Sequence, residues 1–267
     1  MSEIRVTRLF RYPVKALRGI ELERCELERR GLSGDRRFML VDEQARFVTQ
    51  RASAELALFA TELVADTLVI RHPAHGTLEI PRAPRGGERL VCEIWGGAVD
   101  ARVEANGSAY FSRALARRLR LVYMSDEIER PVNPMRAASG DIVSFADGYP
   151  LLMANEGSLA ALNAQLAAKV AIERFRPNVV IAGAHAWSEE SWSRLTIGDA
   201  ELRAPKPCER CSVINVDPIT AARESEPLRT LTRIHAPAGQ PLFGINLIPE
   251  PSSVGAILAV GDRVSAL

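Results

Sequence analysis

Lys206–Pro218 reads KPCERCSVINVDP, and the reading of the whole chain turns on it. Two cysteines, Cys208 and Cys211, stand three positions apart, between a proline-guarded turn and a run containing Val213, Ile214 and Val216 that stops at Asp217-Pro218. β-branched residues favour extended backbone, and proline cannot continue a central strand. The stretch therefore predicts a turn opening onto a short strand, with two soft sulfur ligands at one strand end, where a turn can direct a thiolate into a cavity.

On the residues alone, three uses of the pair compete. A thioredoxin-type dithiol opens a helix whose N-terminus lowers the thiol pKa, but Ser212–Val216 is β-branched and cut by Pro218. A zinc site needs four ligands and a lone C-x-x-C supplies two; His72 and His75, in a predicted surface turn, are the other close pair. In the third, both thiols are small buried hydrophobes.

Working outward, the chain has 267 residues, enough to bury one large core or two modest ones. Its composition is that of an ordinary globular protein, 47% hydrophobic and 25% charged, with a formal net charge of +1 that gives no broad nucleic-acid footprint. The start, MSEIRVTRLF, carries charges where a signal peptide would have its apolar core. A soluble cytoplasmic protein with no membrane or nucleic-acid partner is expected. Of 34 basic residues only Lys15, Lys169 and Lys206 are lysine. Lys169 ends an amphipathic helix, whereas Lys15 and Lys206 lie in turn-like, proline-adjacent stretches where ligand contacts concentrate.

Residues 1–95 alternate in the manner of short strands, over Ile4–Phe10, Ile20–Leu27, Phe38–Val41 and Phe47–Thr49, and as a hairpin of Leu68–Ile70 with Leu78–Ile80. Val99–Val103 adds a strand. Ser108–Arg120 reads as a helix, with Phe111, Leu115 and Leu119 on one face. A second unit begins at Leu121–Met124. There, Asn155 caps a helix carrying Leu159, Leu162, Leu166 and Val170, and Val179–Ile181 is a buried strand. Leu195–Ile197 and Glu201–Arg203 form a hairpin that delivers the chain to Cys208. Glu226–Ile234 is a short helix, and Ile245–Ile248, Ile257–Val260 and Arg263–Ala266 close the chain. Trp187 and Trp192 read as packing, and His185 and His235 as surface residues.

Eight motifs occur in order: Tyr12-Pro13-Val14-Lys15, Asp35-Arg36, Ser144-Phe145-Ala146-Asp147-Gly148-Tyr149-Pro150, Asn155-Glu156-x-Ser158-Leu159, Phe175-Arg176-Pro177-Asn178, Ser191-Trp192, Ile197-Gly198-Asp199 and Lys206-Pro207-Cys208-x-Arg210-Cys211. The series spans nearly the whole chain. It resembles the MOSC (molybdenum-cofactor sulfurase C-terminal) family, in the branch with an N-terminal MOSC-type β-barrel domain that includes the mitochondrial amidoxime-reducing component. The resemblance implies a mainly β fold with a few α-helices (α+β): an N-terminal MOSC-type β-barrel domain over 1–122, then a MOSC β-barrel domain over 123–267, with a cofactor in the cleft between them.

The resemblance further implies that Cys211 ligates the molybdenum of a molybdopterin cofactor and that Cys208 is structural. Lys15, Arg36 and Arg176 would meet the phosphate and pterin, while Asp147 and Asn178 would read pterin donors and acceptors. Ala16 and Glu209 stand where relatives often carry serine, removing two hydroxyl donors. The implied activity is reduction of N-hydroxylated compounds such as amidoximes and N-hydroxylated bases. No cysteines remain for an iron–sulfur cluster in this chain, so a separate donor (a ferredoxin, flavoprotein or cytochrome b5-like protein) would supply electrons. The alternative is a carrier that hands on molybdenum cofactor or sulfur without reductase turnover.

Overall fold

A computed structural model describes residues 3–267. The protein is mainly β, with three α-helices, α1 (Ala105–Ala114), α2 (Glu156–Asn163) and α3 (Leu228–Ile234), among the described residues. An eight-stranded sheet dominates. Its spatial order is Ile20–Leu22, Arg5–Arg11, Val179–Ala182, Leu151–Asn155, Leu242–Pro249, Ala200–Glu209, Arg194–Ile197 and Val264–Ala266. Every neighbouring pair is antiparallel except Leu151–Asn155 with Val179–Ala182, which are joined by a crossover through α2. Both strands of that parallel pair are almost wholly buried, and apart from the capping Asn155 both read as apolar runs rather than alternating ones. The inner face packs Val6, Leu9, Met153, Ile181, Leu202 and Leu247 into one core.

The N-terminal portion builds a four-stranded sheet, Phe38–Val41, Arg120–Tyr123, Gly97–Glu104 and Arg89–Ile94, and a three-stranded meander over 60–81. Helix α1 packs Tyr110 and Phe111 into a core with Phe59, Leu68, Ile70 and Leu121. Strand pairing crosses the expected boundary between the two units. Arg120–Tyr123 runs through the 122/123 position without a break, and Arg5–Arg11 pairs with Val179–Ala182. No helix among the described residues is long and apolar enough to cross a membrane.

Several expectations are corrected by these elements. The sheets are not closed barrels: in the large sheet, Arg5–Arg11 meets Arg263, just ahead of the strand Val264–Ala266, through an isolated bridge and not through a ladder. The run after Cys211 is a 3-10 turn, Ser212–Asn215, not a strand. The slot beside Leu242–Pro249 is taken by Ala200–Glu209, a strand that continues past the predicted end at Arg203 as far as Glu209. The turn is then fixed by tertiary bonds that outweigh β propensity: Asn215 Oδ1 accepts Leu228 N–H at 2.9 Å, and Arg174 pairs with Asp217 at 2.9 Å. Helix α1 starts earlier than Ser108 because the Glu104 side chain caps Gly107 N–H, and it stops at Ala114. Helix α2 stops at Asn163, whose side chain accepts Val170 N–H at 2.9 Å and so folds Leu166 and Val170 onto the same core without continuing the helix. Phe47–Thr49 contributes only a bridge to Val41.

Candidate active site

The site is assembled from separated segments of the chain. Tyr12-Pro13-Val14-Lys15 leaves the strand Arg5–Arg11 and runs beside Asp35–Phe38: Arg36 N–H donates to Tyr12 O at 2.7 Å, Phe38 N–H to Pro13 O at 3.0 Å, and Lys15 N–H to Phe38 O at 2.8 Å. The buried Asp35 locks this crossing by accepting Tyr12 N–H at 2.8 Å. Arg36 takes a left-handed backbone, φ 47°, at the bend. Arg176, at φ 56°, ends the 3-10 turn Ile172–Phe175, and Pro177 after it stops any helix and sends the chain into Val179–Ala182. The long strand Ala200–Glu209 brings Cys208 and, just beyond, Cys211 to the same opening.

These segments line a solvent-open cleft of about 150 Å³, and all six residues expected at a site, Lys15, Arg36, Asp147, Arg176, Asn178 and Cys211, line it. Cys211 is exposed and Cys208 half-buried, both as free thiols. Arg210 donates to Cys208 Sγ at 3.0 Å and to Phe175 O at 2.7 Å, which ties Cys208 to the wall and leaves Cys211 the accessible sulfur. Glu209, between them, pairs with Lys206 at 2.8 Å. Ala16, φ 70°, offers its carbonyl to Gln50 Nε2 at 2.6 Å.

The cations differ in what they have left to give. Lys15 is buried and donates to Phe145 O at 2.8 Å and to Asp147. Burial pushes its pKa down, against the pull of Asp147. Partial desolvation opposes ionisation of Asp147, whose side chain is largely exposed, but Lys15, with help from the Trp95 indole N–H at 3.2 Å, outweighs it and holds this carboxyl below the usual range. Arg36 is engaged on the protein, with Asp35 at 2.6 Å, Asn178 Oδ1 at 2.9 Å and Arg176 O at 3.2 Å. Asn178 is fully buried; it accepts from Leu152 N–H at 3.2 Å as well and donates to Phe10 O at 3.1 Å, so its side chain braces neighbouring strands.

Arg176 is the contrast. Its Nη1 donates to Leu17 O at 2.8 Å and its guanidinium lies 4.3 Å from the Tyr12 ring centroid, yet Nη2 is buried with no partner. No carboxylate pairs with it among the described residues, and burial drives its pKa down to about 10. A buried cation left partly unsatisfied is costly unless an anion completes it. Arg210 Nε is likewise buried and unpaired. Five cationic side chains (Lys15, Arg36, Arg51, Arg176, Arg210) line the cleft against two carboxylates, Asp147 and Glu209. The donor set fits a ligand bearing a phosphate, with one accessible thiolate for a soft metal.

Thr49, Gln50, Arg51 and Arg210 also line the cleft and go beyond the residues expected from the sequence. Arg210 lies inside the quoted Cys motif. Arg51 carries no sequence signal, because the residues around it come from distant loops. Among the described residues no three His, Cys, Asp or Glu side chains are grouped to hold a metal by themselves, and His72 and His75 stack on each other, with His72 against Phe59 in the meander. Trp187 packs as expected, on Phe243 and on His235; His235 is not a free surface residue but pairs with Glu190 at 2.8 Å.

Known proteins resemble the chain over nearly its whole length. Residues 3–118 match the MOSC N-terminal beta barrel domain and residues 140–265 the MOSC domain. The chain is 32% identical over 253 residues to mitochondrial amidoxime-reducing component 1 of Homo sapiens, covering 90% of this chain and 75% of that one. It is 31% identical over 278 residues to mitochondrial amidoxime reducing component 2 of Bos taurus, covering 97% and 82%. It is also 28% identical over 291 residues to the molybdenum cofactor sulfurase of Danio rerio, covering 98% of this chain but 34% of that protein. The chain belongs to the MOSC family, with a MOSC N-terminal domain ahead of its MOSC domain, and is a relative of the mitochondrial amidoxime-reducing components.

Proposed function

We propose that the protein binds molybdenum cofactor and reduces N-hydroxylated compounds, taking electrons from a separate donor protein. The observation that carries this reading is the convergence of Lys15, Asp147, Arg176 and Cys211 on one cation-rich cleft that holds a buried, unpaired guanidinium N–H. In this reading the segment 1–122 supplies Lys15 and Arg36, and the segment 123–267 supplies Asp147, Arg176, Asn178 and Cys211. The names of the relatives, amidoxime-reducing component and molybdenum cofactor sulfurase, point the same way.

Bound in the cleft, the cofactor supplies two-electron redox chemistry at its metal. The protein's part is to hold and orient it. Cys211, the accessible thiol, would ligate the metal. Arg176 and Lys15 would meet the anionic phosphate, and Arg36 and Asn178 keep that wall rigid by their own hydrogen bonds. The net reaction consumes an N-hydroxy compound, two electrons and two protons, and yields the N–H product and water. Asp147, ionised beside Lys15, offers an acceptor for a donor group on the ligand.

The test is molybdenum and pterin content of the protein from a cofactor-competent host, beside Cys211→Ala and Cys208→Ala, followed by reduction of an amidoxime with an artificial donor. Near-stoichiometric molybdenum lost in Cys211→Ala and kept in Cys208→Ala, with turnover, is the expected result. Zinc lost from both variants, or loaded protein that reduces no N-hydroxylated compound, overturns it. Because Cys211 is exposed, a carrier reading is the second: cofactor that transfers to an acceptor without turnover would favour it.

A further inference from the structure

At the edge of the cleft stands a side chain that the proposed chemistry has not used. Trp95 sits at the tip of the hairpin Arg89–Ile94/Gly97–Glu104 and is 50% exposed. It adopts φ 52°, a left-handed conformation that is unfavourable for a bulky residue. Three contacts hold it there. Its indole N–H donates to Asp147 at 3.2 Å, the Phe47 ring lies 5.1 Å away, and the Arg51 guanidinium lies 4.4 Å from its ring centroid. Arg51 lines the cleft, and its guanidinium has no hydrogen-bond or ion-pair partner among the described residues. Contact with the Trp95 ring is therefore what orients it.

Resting on the proposed function above, we infer that Trp95, with Arg51 over its ring, is the specificity-determining platform of this cleft, selecting substrates whose N-hydroxylated group is attached to a flat, uncharged aromatic ring. The argument is one of shape and charge. An indole and a guanidinium held together present planar faces, and such faces stack on aromatic rings but gain little from a methyl group. An unpaired guanidinium at the same place disfavours a planar cation. An amidoxime is neutral near pH 7, whereas the amidine it becomes is protonated, so the platform favours substrate over product. The exposed apolar ring and the strained backbone both persist because the three contacts over-determine Trp95 at the cleft edge.

The experiment uses cofactor-loaded protein with no electron donor, so that ligands bind without turnover. Binding of benzamidoxime, acetamidoxime and benzamidine is measured by calorimetry for the wild type, Trp95→Phe and Trp95→Ala, with molybdenum content recorded for each. Expected are tighter binding of benzamidoxime than of the other two, an affinity for benzamidoxime about five-fold weaker in Trp95→Ala, most of it retained in Trp95→Phe, and acetamidoxime changed less than about two-fold. Equal binding of benzamidoxime and acetamidoxime by the wild type overturns the inference. So does an equal loss for both ligands in Trp95→Phe and Trp95→Ala, which would give Trp95 only a bracing role through Asp147. If the loaded protein reduces alkyl and aryl compounds alike and shows no aryl preference in binding, this inference fails and the proposed function stands. If it reduces neither, the proposed function fails, and the binding series reports on the platform separately.

Discussion

Replacing Arg176 by methionine should make the cofactor-free protein more stable while abolishing cofactor retention. Arg176 is charged in a place that disfavours charge: burial drives its pKa well below the ordinary guanidinium value, to about 10, with Tyr12 opposing the shift and Arg36 adding to it. That difference corresponds to about 3 kcal/mol against the charged form. Against it stand one hydrogen bond to Leu17 O, about 1 kcal/mol, and the contact with the Tyr12 ring, about 1 kcal/mol. Methionine fills similar volume against the Tyr12 ring and carries the same left-handed backbone cost. The balance is about 1 kcal/mol in favour of the variant, a rise in Tm of about 2–4 °C for a chain of this size. Calorimetric melting of both proteins after cofactor removal measures it, with molybdenum content of the loaded preparations as the functional readout. A cofactor-free variant that melts several degrees below the wild type would refute the reasoning, because Arg176 would then be a structural cation already satisfied within the protein.

Two further outcomes follow from partners described above. Asp147 has a folded pKa below its unfolded value, so its pairing with Lys15 contributes stability above about pH 4 that is lost as pH falls through the lower folded value; melting between about pH 2 and 7 should show a shallower acid limb for Asp147→Asn. Glu189 is fully buried and accepts from Asn155 Nδ2 at 2.8 Å and Ser158 Oγ at 2.6 Å, so Glu189→Ala leaves one buried N–H and one buried O–H without an acceptor and should cost about 3 kcal/mol in urea unfolding, more than Glu189→Gln.

Local signals pick out many of the residues that line the candidate cleft because those residues lie where the chain bends. Lys15, Arg36, Asp147, Arg176 and Cys211 all belong to short turn motifs next to strands, and such motifs survive as recognisable words in a sequence. Their division of labour is not legible there. Arg36 and Arg176 look alike in sequence, yet one is surrounded by acceptors and the other keeps a bare N–H, a difference made by Asp35 and Asn178, the latter 142 positions from Arg36. The same limit explains the run after Cys211. Its β-branched residues argue for a strand, but the strand position is filled by Ala200–Glu209. Strands themselves are readable where one face is wet, as in the 67–81 hairpin, and harder to bound where both faces are buried.

The place of the strand Arg5–Arg11 has a consequence for how the chain comes off the ribosome. It is synthesised more than 160 residues before its partner Val179–Ala182, yet it lies between Ile20–Leu22 and that strand, and Val6 also receives the chain again at Asp262 through a 2.9 Å hydrogen bond. Until residue 182 has emerged, that strand has one paired edge and one open edge, and its apolar face, Val6 and Leu9, has no finished core to enter. Such long-range closure makes for slow folding and a nascent chain that is prone to pairing with its neighbours. Slowing translation before position 182 should therefore lower the soluble yield, whereas the same pause after the last strand should not.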